Sequence, residues 1–241
     1  MTGIDLARPT RVLAIGAHPD DVEFGCGATL TKWSAAGAHC EMLVLTDGSK
    51  GTWDPDADTT ALVAQREREQ QVAAATLGVA AVHFGRVVDG ELEATRAGQR
   101  EVCRVIRSVR PDVVLGHDPW KQYRLHPDHH AAGRLVIDGI IAARDAHFFP
   151  DTGERHRPAA LLLFEAQEVD HVETVDDDAL RTKLDALLAH RSQWRSTMGI
   201  DPDTDASSQR ETFEQRVTDA LVEVPGDASR RGEPFKLLAD L

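Results

Sequence analysis

The sequence contains few cysteines and no cysteine motif. The three that occur, Cys26, Cys40 and Cys103, are far apart, and no C-x-x-C pair is present. A disulfide framework or a thiolate zinc site needs more cysteines at closer spacing, so both are excluded. This use of cysteine is typical of a reducing compartment, and we predict a cytoplasmic protein.

A long hydrophobic run is also lacking. Near the N-terminus, the apolar stretch 12–17 is bounded by Arg11 and His18. A signal peptide or a membrane-spanning helix requires a longer uninterrupted stretch. We therefore expect neither export nor membrane insertion.

Positive charge is scarce. The 27 lysines and arginines are outnumbered by 40 aspartates and glutamates, which gives a formal net charge of −13. Because no basic cluster offsets this charge, the chain repels nucleic acid backbones and anionic lipid surfaces. We expect a small molecule as the partner, with no nucleic acid and no membrane, and we leave open whether identical copies associate.

The apolar content is sufficient for one folded unit. Of the 241 residues, 41% are hydrophobic, and a chain of this length can bury a large core in a single domain. We predict one domain over residues 1–241, with a core at about 11–195. The remainder, 196–241, is expected to be a C-terminal extension that could form a flap over the site.

Short apolar segments alternate with amphipathic ones along the chain. The segments 11–18, 39–46 and 112–116 are typical of strands buried on both faces, and helical patterns follow at 24–36 and 60–77. Further strands are predicted near 80–84 and 160–165, and further helices near 97–109, 128–143, 177–190 and 211–222. This order predicts an α/β, Rossmann-like fold with a mostly parallel sheet flanked by helices. Ligands of such sheets bind at the carboxyl ends of the strands.

Two segments rich in histidine and aspartate follow predicted strands. AHPDD comes after the first strand, and HPDHH comes after the fourth. His18, Asp21 and His129 offer the three nitrogen and oxygen ligands that a catalytic zinc takes beside a water. The same donors also suit ferrous iron, so we predict Zn²⁺ with Fe²⁺ as the alternative. Either segment alone could be a helix cap, whereas their joint presence at strand ends indicates a catalytic site.

The neighbouring side chains suit amide hydrolysis. Asp20 can take a proton from water and deliver it to a leaving amine. His126 can stabilise a developing oxyanion as an imidazolium, and Asp128 can hold the tautomer of that ring. We predict these three residues as the catalytic groups.

The sequence resembles the LmbE-like deacetylases. The resemblance is carried by A-H-P-D-D at 17–21, T-D-G at 46–48 and H-P-D-H at 126–129, and it covers about 11–195. That family includes N-acetylglucosaminyl-phosphatidylinositol deacetylases and deacetylases of the mycothiol and bacillithiol pathways. The resemblance implies a Rossmann-like metal-dependent hydrolase in which His18, Asp21 and His129 bind the metal. It also implies that Asp20 is the general base and acid and that His126 stabilises the tetrahedral intermediate.

Contacts to substrate are also implied by the resemblance. Arg66, in an R-x-x-E pattern with Glu69, and Asp89 match places where relatives hold substrate hydroxyls or position a loop. Arg66 and Glu69 could equally form a solvated ion pair on one helix face. Arg124 replaces a tyrosine found two residues before the catalytic histidine in sugar-thiol members. An arginine there either favours an anionic substrate or pairs with an acidic neighbour.

The predicted function is therefore that of a zinc-dependent N-deacetylase or amidohydrolase, which cleaves a linear amide bond in an N-acetylated amino sugar or its conjugate. An amidase acting on a thiol conjugate or an antibiotic-type glycoside is an alternative. A non-catalytic Rossmann-like module that binds a nucleotide or sugar is an alternative of another class. Asp20 and Asp21 argue against a nucleotide, because they stand where a pyrophosphate needs bare amide groups.

Overall fold

The computed structural model describes residue 6 and residues 8–241. Its strands are β1 Arg11–Gly16, β2 His39–Thr46, β3 Ala81–Val87, β4 Val113–His117, β5 Ala160–Phe164, β6 His171–Val175, β7 Val222–Val224 and β8 Asp227–Ala239. Its α-helices are α1 Asp21–Ala35, α2 Thr59–Thr76, α3 Arg96–Val109, α4 Pro127–Arg144, α5 Asp177–Leu188 and α6 Ser207–Asp219. Within the described residues, no helix is both long and apolar enough to cross a membrane.

The strands form one sheet in the order β3-β2-β1-β4-β5-β8-β6, with β7 paired to β8. The five strands from β3 to β5 run parallel, and β8 runs antiparallel to β5, β6 and β7. This arrangement confirms the predicted α/β fold with a mostly parallel sheet flanked by helices.

Alternating side chains of each central strand enter different halves of the core. Leu13 and Ile15 of β1 pack with residues of α3 and α4. Val12 and Ala14 pack on the other face with residues of α1 and α2. Because both faces are covered, β1 reads as an uninterrupted apolar run, as expected of a parallel strand inside a layered fold.

The centre of the sheet is where the chain reverses its direction of winding. Strand β1 pairs with β2 on one side and with β4 on the other. The polar segments that follow β1 and β4 therefore emerge side by side at the carboxyl edge, which is the usual place for a ligand in such sheets.

The C-terminal segment contributes to the sheet. We predicted residues 196–241 as an extension that could cover the site, but 227–239 form β8 between β5 and β6. Phe235 is fully buried in the core beside Phe164, and Leu238 packs against the opposite core. This part of the extension is therefore held by packing on both faces of the sheet and does not form a flap.

A buried ion pair connects β8 to α5, and its carboxylate also holds α1. The Glu233 carboxylate accepts a hydrogen bond of 2.6 Å from Lys183 Nζ, and both side chains are almost fully buried. The same carboxylate accepts the backbone N–H groups of Ala28 and Thr29. Helix α1 is kinked at Cys26, where φ is −154°. The kink leaves helical N–H groups without carbonyl partners, and Glu233 provides acceptors for two of them.

We expect Glu233→Ala to destabilise the fold by about 3–5 kcal/mol, because Lys183 would remain buried without a counter-charge. Urea unfolding followed by circular dichroism measures this change in free energy. Glu223→Ala, at an exposed position of β7, is the matched control and is expected to shift stability by less than about 0.5 kcal/mol. Equal stability of the two variants would contradict the assignment.

Candidate metal centre and active site

Three predicted ligands converge at the carboxyl edge of the sheet. His18 and Asp21 lie where β1 turns into α1, and His129 lies in the first turns of α4. His18 Nδ1 is 3.2 Å from Asp21 Oδ2 and 3.2 Å from His129 Nε2. His129 Nε2 is 3.3 Å from Asp21 Oδ1. The two segments of the chain therefore meet as predicted.

These separations suit a small divalent ion. With ligand distances of about 2.0–2.1 Å, neighbouring ligand atoms around a tetrahedral zinc lie about 3.3–3.4 Å apart. His126 and His117 lie close enough to be additional metal ligands. The potential ligand atoms lie within 4.8 Å of one another in two overlapping groups, His18 with His126 and His129, and Asp21 with His117 and His129. The cluster has enough nitrogen and oxygen donors for three protein ligands and a water.

The tautomer of His18 leaves a lone pair directed at this cluster. His18 Nε2 is 3.1 Å from Asp128 Oδ2 and 3.2 Å from Asp89 Oδ1, so the hydrogen bonds assign the ring proton to Nε2. In the neutral ring, which is the form that binds a metal, Nδ1 then faces Asp21 and His129 with its lone pair. Acceptor atoms at such short distances are stabilised when a cation is shared between them.

The charges around His18 also favour a cation. Burial acts to lower the pKa of His18, but hydrogen bonds and charges from Asp21 and Asp89 raise it to about 10. Burial acts to raise the pKa of Asp21, but His129 and His117 hold it well below its usual range. The site therefore attracts positive charge, for which protons and a metal ion compete.

Asp128 contacts a different histidine from the one we predicted. We expected its carboxylate to hold the His126 ring, but its Oδ2 contacts His18 and also accepts the N–H of Gly90 at 2.7 Å. Its Oδ1 accepts the N–H of Leu92. The reason is local: α4 begins at Pro127, which directs this first-turn side chain into the protein, where it is fully buried.

His126 is the N-cap residue of α4, and its capping hydrogen bond determines the tautomer of its ring. Its Nδ1 accepts the backbone N–H of Asp128 at 3.3 Å, so the proton lies on Nε2. The ring packs edge to face against His18, with 4.5 Å between centroids. His126 can therefore present its Nε2–H as a donor to a ligand at the candidate metal centre.

Asp20 has an unusual backbone and a buried carboxylate. Its φ is 92°, a left-handed conformation that is rare outside glycine, and its N–H donates to Gln70 Oε1 at 3.1 Å. Burial raises the pKa of Asp20 to about 6, against the opposing charges of Arg66 and His190. A carboxylate with a pKa near neutrality is suited to exchange protons with a substrate.

Arg66 supports the turn that carries Asp20. Its guanidinium donates to Pro19 O at 2.7 Å and to Gly48 O at 2.9 Å, and it lies 3.6 Å from Asp20 Oδ2. Among the described residues it forms no ion pair with Glu69, which instead accepts bonds from Ser192. The geometry therefore shows Arg66 holding the protein's own backbone at the edge of the cavity.

A cavity of about 320 Å³ opens over the cluster. Of the nine predicted site residues, it is lined by His18, Asp20, Asp21, Arg66, Asp89, His126 and His129. Asp128 and Arg124 do not line it. Arg124 pairs with Glu165 and lies 3.4 Å from His117 Nδ1, so of the two alternatives for this arginine the structure shows the acidic neighbour.

His117 and a buried network behind Asp20 were not identified from the sequence. His117 is fully buried, with Nε2 3.2 Å from Asp21 Oδ2. Gln70 Nε2 donates to Glu23 Oε1 at 2.6 Å, and Glu23 Oε2 lies 3.8 Å from His190 Nε2. The only available signal was that His117 ends a strand adjacent to β1. No local spacing links Gln70, Glu23 and His190.

Comparison with known proteins places this geometry in a family. The profile of the family described as PIG-L, GlcNAc-PI de-N-acetylase, matches residues 13–140. Diacetylchitobiose deacetylase of Thermococcus kodakarensis is 37% identical over 199 residues, which cover 76% of this chain and 70% of that protein. The solved N,N'-diacetylchitobiose deacetylase of Pyrococcus horikoshii, complexed with its inhibitor MPG, superposes with a TM-score of 0.83 at 28% identity. That match covers 96% of this chain and 84% of the other.

A second group of relatives matches over a shorter part. The 1D-myo-inositol 2-acetamido-2-deoxy-alpha-D-glucopyranoside deacetylase of Streptomyces scabiei is 33% identical over 170 residues, which cover 60% of this chain. The chain spans about half of that relative's length, 52%. Both groups are deacetylases, so the predicted class of an amide-cleaving enzyme is confirmed and a purely binding module is set aside. The chain belongs to the PIG-L (GlcNAc-PI de-N-acetylase) family, as its resemblance to LmbE-like deacetylases predicted.

Proposed function

We propose that this protein is a zinc-dependent deacetylase that hydrolyses the N-acetyl group of a small amino sugar or amino-sugar conjugate. The observation that carries the proposal is the convergence of His18, Asp21 and His129 beside the buried carboxylate of Asp20. The amino-sugar substrate is supported by the relatives, whose names specify N-acetylated sugars. The cytoplasm stays the predicted location.

His18, Asp21 and His129 would hold the metal ion. When bound, a divalent zinc ion lowers the pKa of water and polarises an amide carbonyl. The donors suit ferrous iron as well, which stays the alternative. Asp89 and Asp128 fix the His18 ring through Nε2, so that Nδ1 keeps its lone pair towards the ligand set.

Asp20 would be the general base and then the general acid. Its carboxylate takes a proton from the attacking water and later delivers it to the nitrogen of the departing amine. The turn that carries Asp20 is held by Gln70 and Arg66, which orients this carboxylate towards the cavity. Burial raises the pKa of Asp20 above that of an ordinary aspartate, which suits a group that both takes and delivers a proton.

His126 would stabilise the tetrahedral stage of the reaction. Because Nδ1 accepts the N–H of Asp128, the Nε2–H is available as a donor towards the cavity. A donor positioned beforehand for a developing oxyanion stabilises the transition state more than the ground state. Asp89 also lines the cavity and is proposed as a contact for substrate hydroxyls. Arg124, which pairs with Glu165, is not given a substrate contact in this proposal.

Release of free amine tests the proposal. The zinc-loaded protein is expected to release amine from at least one N-acetylated amino sugar of a panel that includes N-acetylglucosamine and N,N'-diacetylchitobiose. Removal of the metal by a chelator should abolish this activity, and added Zn²⁺ or Fe²⁺ should restore it. Undiminished amine release after the metal has been removed, verified by elemental analysis, would contradict the metal-dependent mechanism.

A further inference from the structure

A second cavity adjoins the catalytic one. It has a volume of about 440 Å³ and is lined by residues of the loop 52–54 and of the segment 191–202. We propose that this cavity binds a second sugar ring, attached to the ring whose N-acetyl group is cleaved, and this inference rests on the proposed function. Trp53 is the platform on which the second ring packs.

The linings of the two cavities meet along two stretches of chain. Gly51 lines the catalytic cavity and the next residue, Thr52, lines the second. Likewise, Gln193 lines the first cavity and Ser192 the second. A substrate that places one ring over the metal centre would therefore extend along these neighbouring residues into the second cavity.

Trp53 is exposed although its loop is well connected. The side chain is 79% exposed to solvent, the highest value for any tryptophan of the described chain. The loop below it is held by a 3.0 Å bond from Gln193 Nε2 to Gly51 O and by a bond from Asp54 N to Thr52 Oγ1. An exposed large apolar side chain on a connected loop beside a cavity is a common feature of binding sites.

The polar groups of the cavity complement the indole ring. Arg191 lies with its guanidinium 5.1 Å from the Trp194 ring, and among the described residues it has no carboxylate partner. Arg195, in contrast, is paired with Asp201 at 2.8 Å. A pyranose ring combines a face of C–H groups with a rim of hydroxyls. An aromatic surface beside an uncommitted hydrogen-bond donor matches both parts.

A comparison of one-ring and two-ring substrates tests this inference. The zinc-loaded full chain is assayed for amine release from N-acetylglucosamine and from N,N'-diacetylchitobiose. We expect kcat/KM to be about tenfold higher for the disaccharide, and we expect Trp53→Ala to remove most of this difference, as for the loss of one aromatic anchor. The activity of Trp53→Ala on N-acetylglucosamine should stay within about twofold of the unaltered protein, because the first ring does not reach the indole.

Two further variants separate a sugar platform from a structural effect. Trp53→Phe keeps an aromatic face and should retain most of the preference for the disaccharide. Trp120→Ala removes another exposed tryptophan, which lines a separate cavity with Asp118 and Gln167, and should leave the preference unchanged. If both substrates are cleaved equally well, or if the preference survives Trp53→Ala, the second-ring site is wrong while the proposed function stands. If neither substrate releases amine with the metal loaded, the proposed function fails for these sugars and the inference fails with it.

Discussion

Asp20→Asn is expected to lower kcat by about a hundredfold or more while the protein keeps its metal, as for the loss of a general acid and base. Asparagine preserves the shape of the side chain and accepts the left-handed backbone that Asp20 adopts, with φ of 92°. Its amide, however, neither takes a proton from water nor delivers one to the departing amine. The rate is measured by amine release, and the metal by elemental analysis of the same sample.

The control for this substitution is Asp47→Asn. Asp47 is also an aspartate near the site, but its carboxylate accepts backbone N–H groups of Ser49 and Asp89 and does not line the catalytic cavity. We expect its loss to change kcat far less than Asp20→Asn does. An Asp20→Asn protein with full metal content and a turnover close to that of the unaltered protein would show that another group handles the proton.

His129→Ala is expected to weaken metal binding by a factor on the order of one hundred or more, which exceeds the effect typical of an outer-shell partner. His129 Nε2 lies at contact distance from both His18 and Asp21, so its removal leaves two protein ligands of the proposed three. The dissociation constant for Zn²⁺ is measured by competition with a chromogenic chelator. Activity should fall in proportion to the metal lost and should return in part at high zinc concentration.

His130→Ala is the matched control for the metal. The ring nitrogens of this neighbouring histidine lie 3.0 Å and 3.1 Å from the backbone carbonyl oxygens of Pro119 and Arg124, and the residue belongs to none of the histidine and carboxylate clusters of the described chain. Its loss should leave zinc affinity within about threefold, since no ligand is removed. Equal zinc affinity of His129→Ala and the unaltered protein would refute the ligand assignment.

The parallel part of the sheet was predictable because its signal is local. Strands β1, β2 and β4 are short apolar runs that end in polar residues, and the structure buries both of their faces. The same pattern places AHPDD and HPDHH directly after strands, so the meeting of His18, Asp21 and His129 followed from the general geometry of parallel sheets. Strand β6, His171–Val175, was missed because it is short and only partly buried.

The hydrogen bonds that hold the site residues in place were not predictable, because they join residues far apart in the chain. Gln70 and Glu23 come together over 47 positions behind Asp20, and Asp128 reaches His18 over 110. The spacing of Arg66 and Glu69 was compatible both with a substrate contact and with a solvated ion pair between them. In the structure the two side chains have different partners, Pro19 O for Arg66 and Ser192 for Glu69. Hydrogen bonds of this kind are set by the packing of whole elements, which periodicity does not encode.

By itself the sequence determined the central sheet, the two turns that carry the proposed metal ligands, and the chemical types of those side chains. Each of these follows from residue types within a few positions of one another. Only the tertiary structure decided that β8 enters the sheet, that Asp128 holds His18 and not His126, and that Trp53 borders a second cavity. The physical reason is that these contacts join segments whose local patterns are compatible with several partners, and only the packing of the complete fold selects one of them.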